Sequence, residues 1–300
     1  MTTINKVALA GATGNLGGTM LESLLNAGFQ VTVLTRKGTS HTFPSNVTVK
    51  AVDYDSIDSL VDALQGQDAV VSNLGHPALT KQHLLIEAAV KTGVKRYIPS
   101  EFGSDTLNPK SAALIAYKEK VDVQKAVKKA AAESGLTYTF ILNGLFLDWG
   151  VRVSFLADVK NRTIELCDGG NRKSSVTTLA SIGKALVGVL KHPEETKNRA
   201  VYVQDAAISQ KELLGYLKKV VGADGWKETV TSIDEGLKQV EEELKKDQPN
   251  IIVVLLSSIK AAMWGEGFGG HFQKLDNDLL GIKQLSDAEI ADVIAKSVPT

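Results

Sequence analysis

Val7-Ala8-Leu9-Ala10-Gly11-Ala12-Thr13-Gly14-Asn15-Leu16-Gly17 is the stretch that decides how this chain folds. Four apolar residues form a short strand, and glycines at 11, 14 and 17 follow it directly. A helical stripe through Met20, Leu24 and Leu25 then occupies residues 16–27 and closes at Gly28. In such a strand–turn–helix unit the first glycine permits the tight turn. The second lets a pyrophosphate approach the backbone, and the third lets helix and strand pack closely. The free N–H groups and positive dipole end of the helix favour phosphate. The spacing is GxxGxxG rather than GxGxxG, which moves the middle glycine by one position. Gly11, Thr13, Gly14, Asn15, Leu16 and Gly17 are therefore expected to hold a dinucleotide.

Strand and helix patterns keep alternating after this unit. Residues 31–34, 47–49, 69–71, 97–98 and 137–142 read as strands. Residues 57–64, 84–90 and a long stretch from about 111 to 134 read as helices. Alternation at this spacing predicts an α/β protein with a Rossmann-type doubly wound parallel sheet, covered by helices on both faces. The pattern changes after Gly150. A turn signal stands at Asp168-Gly169-Gly170-Asn171, a helix and a strand return over 178–203, and helices dominate from 209 onward. The expected organisation is a dinucleotide-binding domain over 1–150 with a return contribution from about 176–204. A smaller, mostly helical substrate-binding cap takes 151–175 and 205–300. The run Val240-Glu241-Glu242-Glu243-Leu244 reads as a solvated helix face.

Composition limits the functional classes. Lys plus Arg and Asp plus Glu both total 34, and this balance argues against wholesale nucleic-acid binding, which needs a basic excess. Cys167 is the single cysteine, which excludes an intramolecular disulfide and a cysteine-rich metal site and fits a reducing compartment. The N-terminus does not read as a secretory signal, and the apolar run 251–259 is about half a bilayer span. The expectation is a cytoplasmic protein with a small-molecule substrate, no metal, no nucleic-acid or membrane partner, and an oligomeric state, including a homo-oligomer, left open.

The end of the second strand reads Thr35-Arg36-Lys37, with no carboxylate to bind a ribose 2′-hydroxyl. A guanidinium and an ammonium there suit a 2′-phosphate, so NADP (NADPH) rather than NAD is expected. Asp53 after the third strand is either an adenine-side contact or a helix cap.

No tyrosine is followed four residues later by lysine, so the usual acid of short-chain dehydrogenases is absent. The long helix carries Ala116, Lys120, Val123, Val127 and Ala130 on one apolar stripe, with Lys118, Asp122, Lys125 and Lys129 on the opposite face. Lys120 is the one cation on the inward side. Held in an apolar site beside a nicotinamide, its pKa falls and it exchanges protons nearer neutrality. By pattern alone, a lysine whose stem packs while its ammonium reaches water fits equally well.

Gly11 to Gly17, Arg36, and Pro99-Ser100-Glu101-Phe102-Gly103 after the fifth strand together resemble the NmrA-like group. Within it the chain looks most like isoflavone reductase and phenylcoumaran benzylic ether reductase relatives, over its whole length. The resemblance implies that NADPH delivers hydride to an enone or benzylic carbon of a phenolic compound, with a helix lysine as general acid/base. Lys120 fits that lysine best and Lys118 is the second choice. It also implies that Ser100, Glu101 and Phe102 lie at the cofactor, with Phe102 against the nicotinamide and the substrate. Asn143 borders the cofactor, Gly144 and Phe146 the substrate, and Asn73, Leu74 and Gly75 pass near the cofactor ribose. The segment 74–77 and the glycine-rich 264–270 look more like fungal relatives than plant ones, so the isoflavone substrate does not carry over. His76 and His271 are candidates for the substrate pocket, or structural or exposed histidines.

The leading expectation is an NADPH-dependent reductase of a conjugated or aromatic secondary metabolite, whether enone, benzylic ether, imine or quinone. The alternative is a non-catalytic NADP-binding redox sensor of the NmrA type. A nucleotide-sugar epimerase is disfavoured by the missing Tyr-x-x-x-Lys. Residues of the variable cap, about 145–175 and 260–275, decide the substrate.

Overall fold

The computed structural model describes residues 3–299. The chain begins with β1 (Lys6–Ala10), α1 (Gly17–Asn26), β2 (Gln30–Arg36), β3 (Thr48–Val52), α2 (Ile57–Leu64), β4 (Ala69–Ser72) and α3 (Gln82–Lys91). It continues through β5 (Arg96–Ile98), a short α4 (Pro109–Ala112), α5 (Lys118–Glu133) and β6 (Thr137–Leu142). Then come β7 (Leu145–Phe146), α6 (Leu147–Arg152), β8 (Thr163–Cys167), β9 (Lys173–Thr177), α7 (Leu179–Lys191), α8 (Pro193–Thr196) and β10 (Arg199–Tyr202). The last part holds β11 (Ala206–Ser209), α9 (Gln210–Val221), β12 (Lys227–Thr231), α10 (Ile233–Glu243), α11 (Ile251–Trp264), α12 (Asn277–Leu280) and α13 (Asp287–Ser297).

Seven strands form one parallel sheet in the order β10-β6-β5-β4-β1-β2-β3. Alternation along each strand separates its two faces. Val7, Leu9, Val31, Val33 and Val71 pack with α1 and α7 through Met20, Leu24, Ile182 and Leu186. Ala8, Ala10, Leu34 and Val70 face the other way, onto Leu60, Leu64, Leu85, Val123 and Val127 of α2, α3 and α5. The strand order reverses between β1 and β4. In such sheets the crevice beyond the carboxyl ends of the strands at the reversal receives the ligand. Here those ends are Gly11 and Asn73.

The stretch 178–203 joins the main sheet: β10 pairs in parallel with β6, and α7 packs beside α1. The remaining C-terminal part carries its own core, in which Leu147, Leu166, Val176, Leu217, Met263, Trp264 and Ile294 are buried together. Two small sheets, β11-β9-β7 and β12-β8, stand in it beside the helices. Strand patterns this short are hard to see in sequence, because each strand runs for only two to five residues.

The helix expected over residues 111–134 is interrupted. Asn108 caps the four-residue α4, Leu114 is extended (φ −68°, ψ 130°), a 3-10 turn covers Ile115–Tyr117, and α5 starts at Lys118. The break has a tertiary cause. Ser111 Oγ donates to the Phe268 carbonyl at 2.7 Å and Lys110 Nζ to the Glu266 carbonyl at 2.9 Å, which pins this segment to the C-terminal part. Ala116, placed on the helix stripe from sequence, therefore lies in the 3-10 turn. Among the described residues no helix is long and apolar enough to cross a membrane.

Candidate active site

The glycine turn is shaped by two close approaches. A Cβ on Gly11, whose φ is +83°, would stand 2.3 Å from the Asn73 carbonyl oxygen, and one on Gly17 would stand 2.1 Å from the Gly11 carbonyl oxygen. Gly14 differs. Its φ is not positive, and a Cβ there would meet nothing nearer than 3.4 Å. Protein packing alone does not demand glycine at 14, whereas a phosphate pressed on the exposed Thr13-Gly14-Asn15 backbone does. The N-terminus of α1 fits the same occupant. Leu16 caps it without a side-chain hydrogen bond, and no acidic residue stands in the first turn; the Gly17 amide is taken by the Gly14 carbonyl at 3.0 Å, which leaves the Gly18 and Thr19 amides for an anion.

Around this turn the ends of β4 and β5 are braced. Asn73 Nδ2 donates to the Gly11 carbonyl at 3.3 Å. Ser100 Oγ lies 2.9 Å from Ser72 Oγ and accepts from the Leu74 amide at 2.9 Å, while the Ser100 amide donates to Gln82 Oε1. Arg36 and Lys37 leave β2 exposed, and neither forms an ion pair with a carboxylate among the described residues. Their charges are free for a phosphate.

Lys120 stands on the first turn of α5. Its Nζ donates to the backbone carbonyl of Glu101, in the loop after β5. Burial holds its pKa below the ordinary lysine value of 10.5, against the Glu101 charge, which acts in the opposite direction. The Tyr117 ring lies 5.9 Å from the ammonium. The Tyr117 hydroxyl is hydrogen-bonded to Ser104 Oγ at 2.5 Å and is pushed up to about 12 by burial. Next to Glu101, Phe102 is buried and held at φ +23°, a conformation that bulky residues rarely adopt and that marks a constrained loop. Asn143 is fully buried after β6; its Nδ2 donates to the Gly144 carbonyl, and its Oδ1 has no partner in the chain. That orphaned acceptor suits an amide donor brought by a ligand.

The model of the NmrA-like family matches residues 3–253. Oxidoreductase poxI of Penicillium oxalicum is 33% identical over 295 residues, covering 95% of this chain and 92% of that protein. This chain belongs to the NmrA-like family. Oxidoreductase aprR of Aspergillus flavus is 32% identical, with 97% of each chain covered. Phenylcoumaran benzylic ether reductase 1 of Arabidopsis thaliana is 29% identical over 68% of this chain and 70% of its own length. Among solved structures, leucoanthocyanidin reductase of Vitis vinifera in its binary complex with NADPH superimposes with a TM-score of 0.76 at 19% identity, over 98% of this chain and 99% of that one. At that identity the likeness is one of fold.

The other expected site residues of this NmrA-like protein are distributed unevenly. Lys118 is exposed and paired with Asp122 at 2.7 Å, on the face of α5 away from the sheet. Glu101 turns its carboxylate inward, onto Thr106 and Gln124. Asp53 accepts from the Asp55 amide at 2.9 Å, whereas the cap of α2 is Ser56, so of the two roles open to Asp53 from sequence the helix cap is excluded. A carboxylate followed by a turn can bond its own backbone two residues on, which takes it out of capping range. Gly75 and His76 are exposed, and His76 Nδ1 lies 3.5 Å from Glu119 Oε2, beside Lys120 in sequence. Gly144, at φ +65°, lies against the Ser175 carbonyl, and Phe146 is half-buried edge-on to Trp149 at 6.1 Å. His271 is exposed and borders a different hollow of about 300 Å³, with Arg172, Lys173 and Trp264.

Tyr117, Ser104, Thr106 and Gln124 escaped the sequence analysis. Gln124 carried a usable signal: it sits one turn beyond Lys120, a polar residue next to an apolar stripe.

Proposed function

We propose that this protein is an NADPH-dependent reductase of a conjugated or aromatic small molecule, with Lys120 as general acid/base. The observation that carries this reading is the position of Lys120. Its half-buried ammonium is fixed to the Glu101 carbonyl on the loop that bears Phe102, and that loop follows β5, two strands from the glycine turn in the same parallel sheet. The exposed turn at Gly14 and the α1 N-terminus fit a dinucleotide pyrophosphate, and the unpaired Arg36 fits its 2′-phosphate. The relatives named as oxidoreductases and benzylic ether reductases support the reaction class.

NADPH, when bound, supplies a hydride equivalent to an electrophilic carbon. The chain's own part is positioning and proton traffic. The α1 N-terminus and the backbone of 13–15 hold phosphate oxygens, and Arg36 with Lys37 neutralises the 2′-phosphate. The buried Phe102 and Asn143 exclude water from the reacting face. Lys120 gives its proton from Nζ to the substrate oxygen that gains electrons, and the amine left behind recovers a proton from water. The lowered proton affinity of Lys120 makes this donation easier than from an ordinary lysine.

The test is NADPH oxidation against enones, isoflavones, benzylic ethers, imines and quinones, with wild type and Lys120→Ala side by side. Turnover on one class, reduced about 10²–10⁴-fold in the variant while NADPH still binds, is the expected result. A variant as fast as wild type sinks the role of Lys120. Silence of the wild type on every class, together with a strong preference for NADP⁺ over NADPH, favours the redox-sensor reading instead.

A further inference from the structure

The loop after β5 and the helix α5 share a buried polar triangle. Glu101 is 1% exposed. Its Oε2 accepts from Thr106 Oγ1 at 2.6 Å and its Oε1 from Gln124 Nε2 at 3.0 Å, while Gln124 Nε2 also donates to Thr106 Oγ1 at 2.8 Å. Both donors are neutral, and among the described residues the Glu101 carboxylate forms no direct ion pair with any cation, Lys120 included. A carboxylate inside a protein costs several kcal/mol unless a charge or a full set of donors meets it. Two neutral donors fix its orientation and leave its charge uncancelled. The cation tied to this residue is Lys120, whose ammonium donates to the Glu101 main-chain carbonyl and feels its charge. Lys120 and Gln124 are one turn apart on α5, so one helix face carries both the ammonium and the group that locks the carboxylate.

We infer that Glu101 is the positioning residue of this site: its buried carboxylate, locked by Thr106 and Gln124, is the counter-charge that keeps Lys120 protonated and ready to donate. The inference rests on the reading of Lys120 as the proton donor. It explains why the loop places a glutamate here, although that side chain is turned into the interior, onto Thr106 and Gln124.

The other charged or titratable groups around Lys120 do not take this role. Tyr117 is neutral, with its hydroxyl on Ser104. Glu119 is half-buried with its Oε2 toward His76 at 3.5 Å, Asp122 is engaged by Lys118 and Lys125, and Asp105 is turned to the Tyr202 hydroxyl. Burial works to strip the proton from Lys120, and the Glu101 charge is what opposes it.

The experiment reads the proton on Lys120 without any substrate. The full-length protein is labelled with an amine-reactive reagent over a pH series, and modification of Lys120 is followed by mass spectrometry in wild type and Glu101→Gln. The expected result is a Lys120 midpoint lower by about one pH unit in the variant, hence about tenfold more labelling on the lower limb. Glu101→Asp, which keeps the charge, restores most of the midpoint. An unchanged midpoint in a folded Glu101→Gln overturns the inference, because a purely structural glutamate would not move it. Should that variant not fold, ¹³C NMR of wild type labelled at the glutamate carboxyls decides. A Glu101 signal in the ionised range at pH 7 supports the inference, and one in the protonated range refutes it. None of these readouts depends on turnover. A Lys120→Ala variant that stays active would remove the reading beneath, while leaving the inferred charge relationship intact.

Discussion

The ammonium of Lys120 donates to the main-chain carbonyl of Glu101, 19 residues earlier, and so ties the first turn of α5 to the loop after β5. This one bond sets the site. It fixes the lysine beside Phe102 and separates it from Lys118, whose ammonium is spent on Asp122 at the surface.

The pH dependence follows from that environment. Lys120 has a pKa lowered by burial, and it must be protonated to act as an acid. Reduction is therefore full below the Lys120 pKa and lost as pH rises through it, with the inflection below the ordinary lysine value of 10.5. A pH profile of kcat checks this; an inflection at or above that ordinary value contradicts it.

The three glycines of the turn respond differently to alanine. Gly11→Ala and Gly17→Ala drive a Cβ into backbone oxygens at 2.3 and 2.1 Å and destabilise the fold by about 2–4 kcal/mol. Gly14→Ala has room for its methyl at 3.4 Å, leaves Tm nearly unchanged, and weakens NADPH at least about tenfold. Thermal unfolding with parallel NADPH titration separates the two effects.

Arg36 decides between the two cofactors. Arg36→Ala is expected to weaken NADPH by about 1.5–3 kcal/mol, roughly 10–150-fold, and to leave NADH affinity unchanged. Equal losses for both would mean that Arg36 does not meet a 2′-phosphate.

Away from the site, Glu165 is held by Lys260 at 2.7 Å and by Thr231 Oγ1 at 2.8 Å. Burial raises the Glu165 pKa and those hydrogen bonds lower it, with a net shift below 4.5. A depressed carboxyl pKa adds stability above the unfolded value, which is lost as pH falls through the folded one. Lys260→Ala, at a partly exposed pair, should cost no more than about 1 kcal/mol at pH 7, and the difference from wild type should shrink as pH falls below the ordinary carboxyl value of 4.5. Denaturant titrations at pH 7 and pH 3.5 measure it.

Cys167 is buried, and burial raises its thiol pKa. Thiol reagents should label the folded protein far more slowly than the unfolded chain, since the thiolate is the reactive form. Fast labelling under native conditions would falsify this burial.

Much of this was legible in the order of residues. Strand alternation, the glycines at 11, 14 and 17, and Arg36 at the end of β2 are local patterns, and a parallel sheet with its ligand crevice follows from them, because period and turn chemistry act over a few residues. The inward position of Lys120 was legible too, since Val123 and Val127 mark the buried side of its helix. What surrounds that lysine was not. Leu114 is extended because Ser111 and Lys110 are held by residues more than 150 positions away, so α5 begins at Lys118 and Lys120 falls on its first turn. The inward turn of Glu101 depends on Gln124 arriving from α5, and the orphaned Asn143 oxygen depends on what β6 and β9 enclose. Sequence pattern determines which face of each element is buried. Only the packed structure decides which polar groups meet inside, because those contacts join residues whose separation along the chain carries no period.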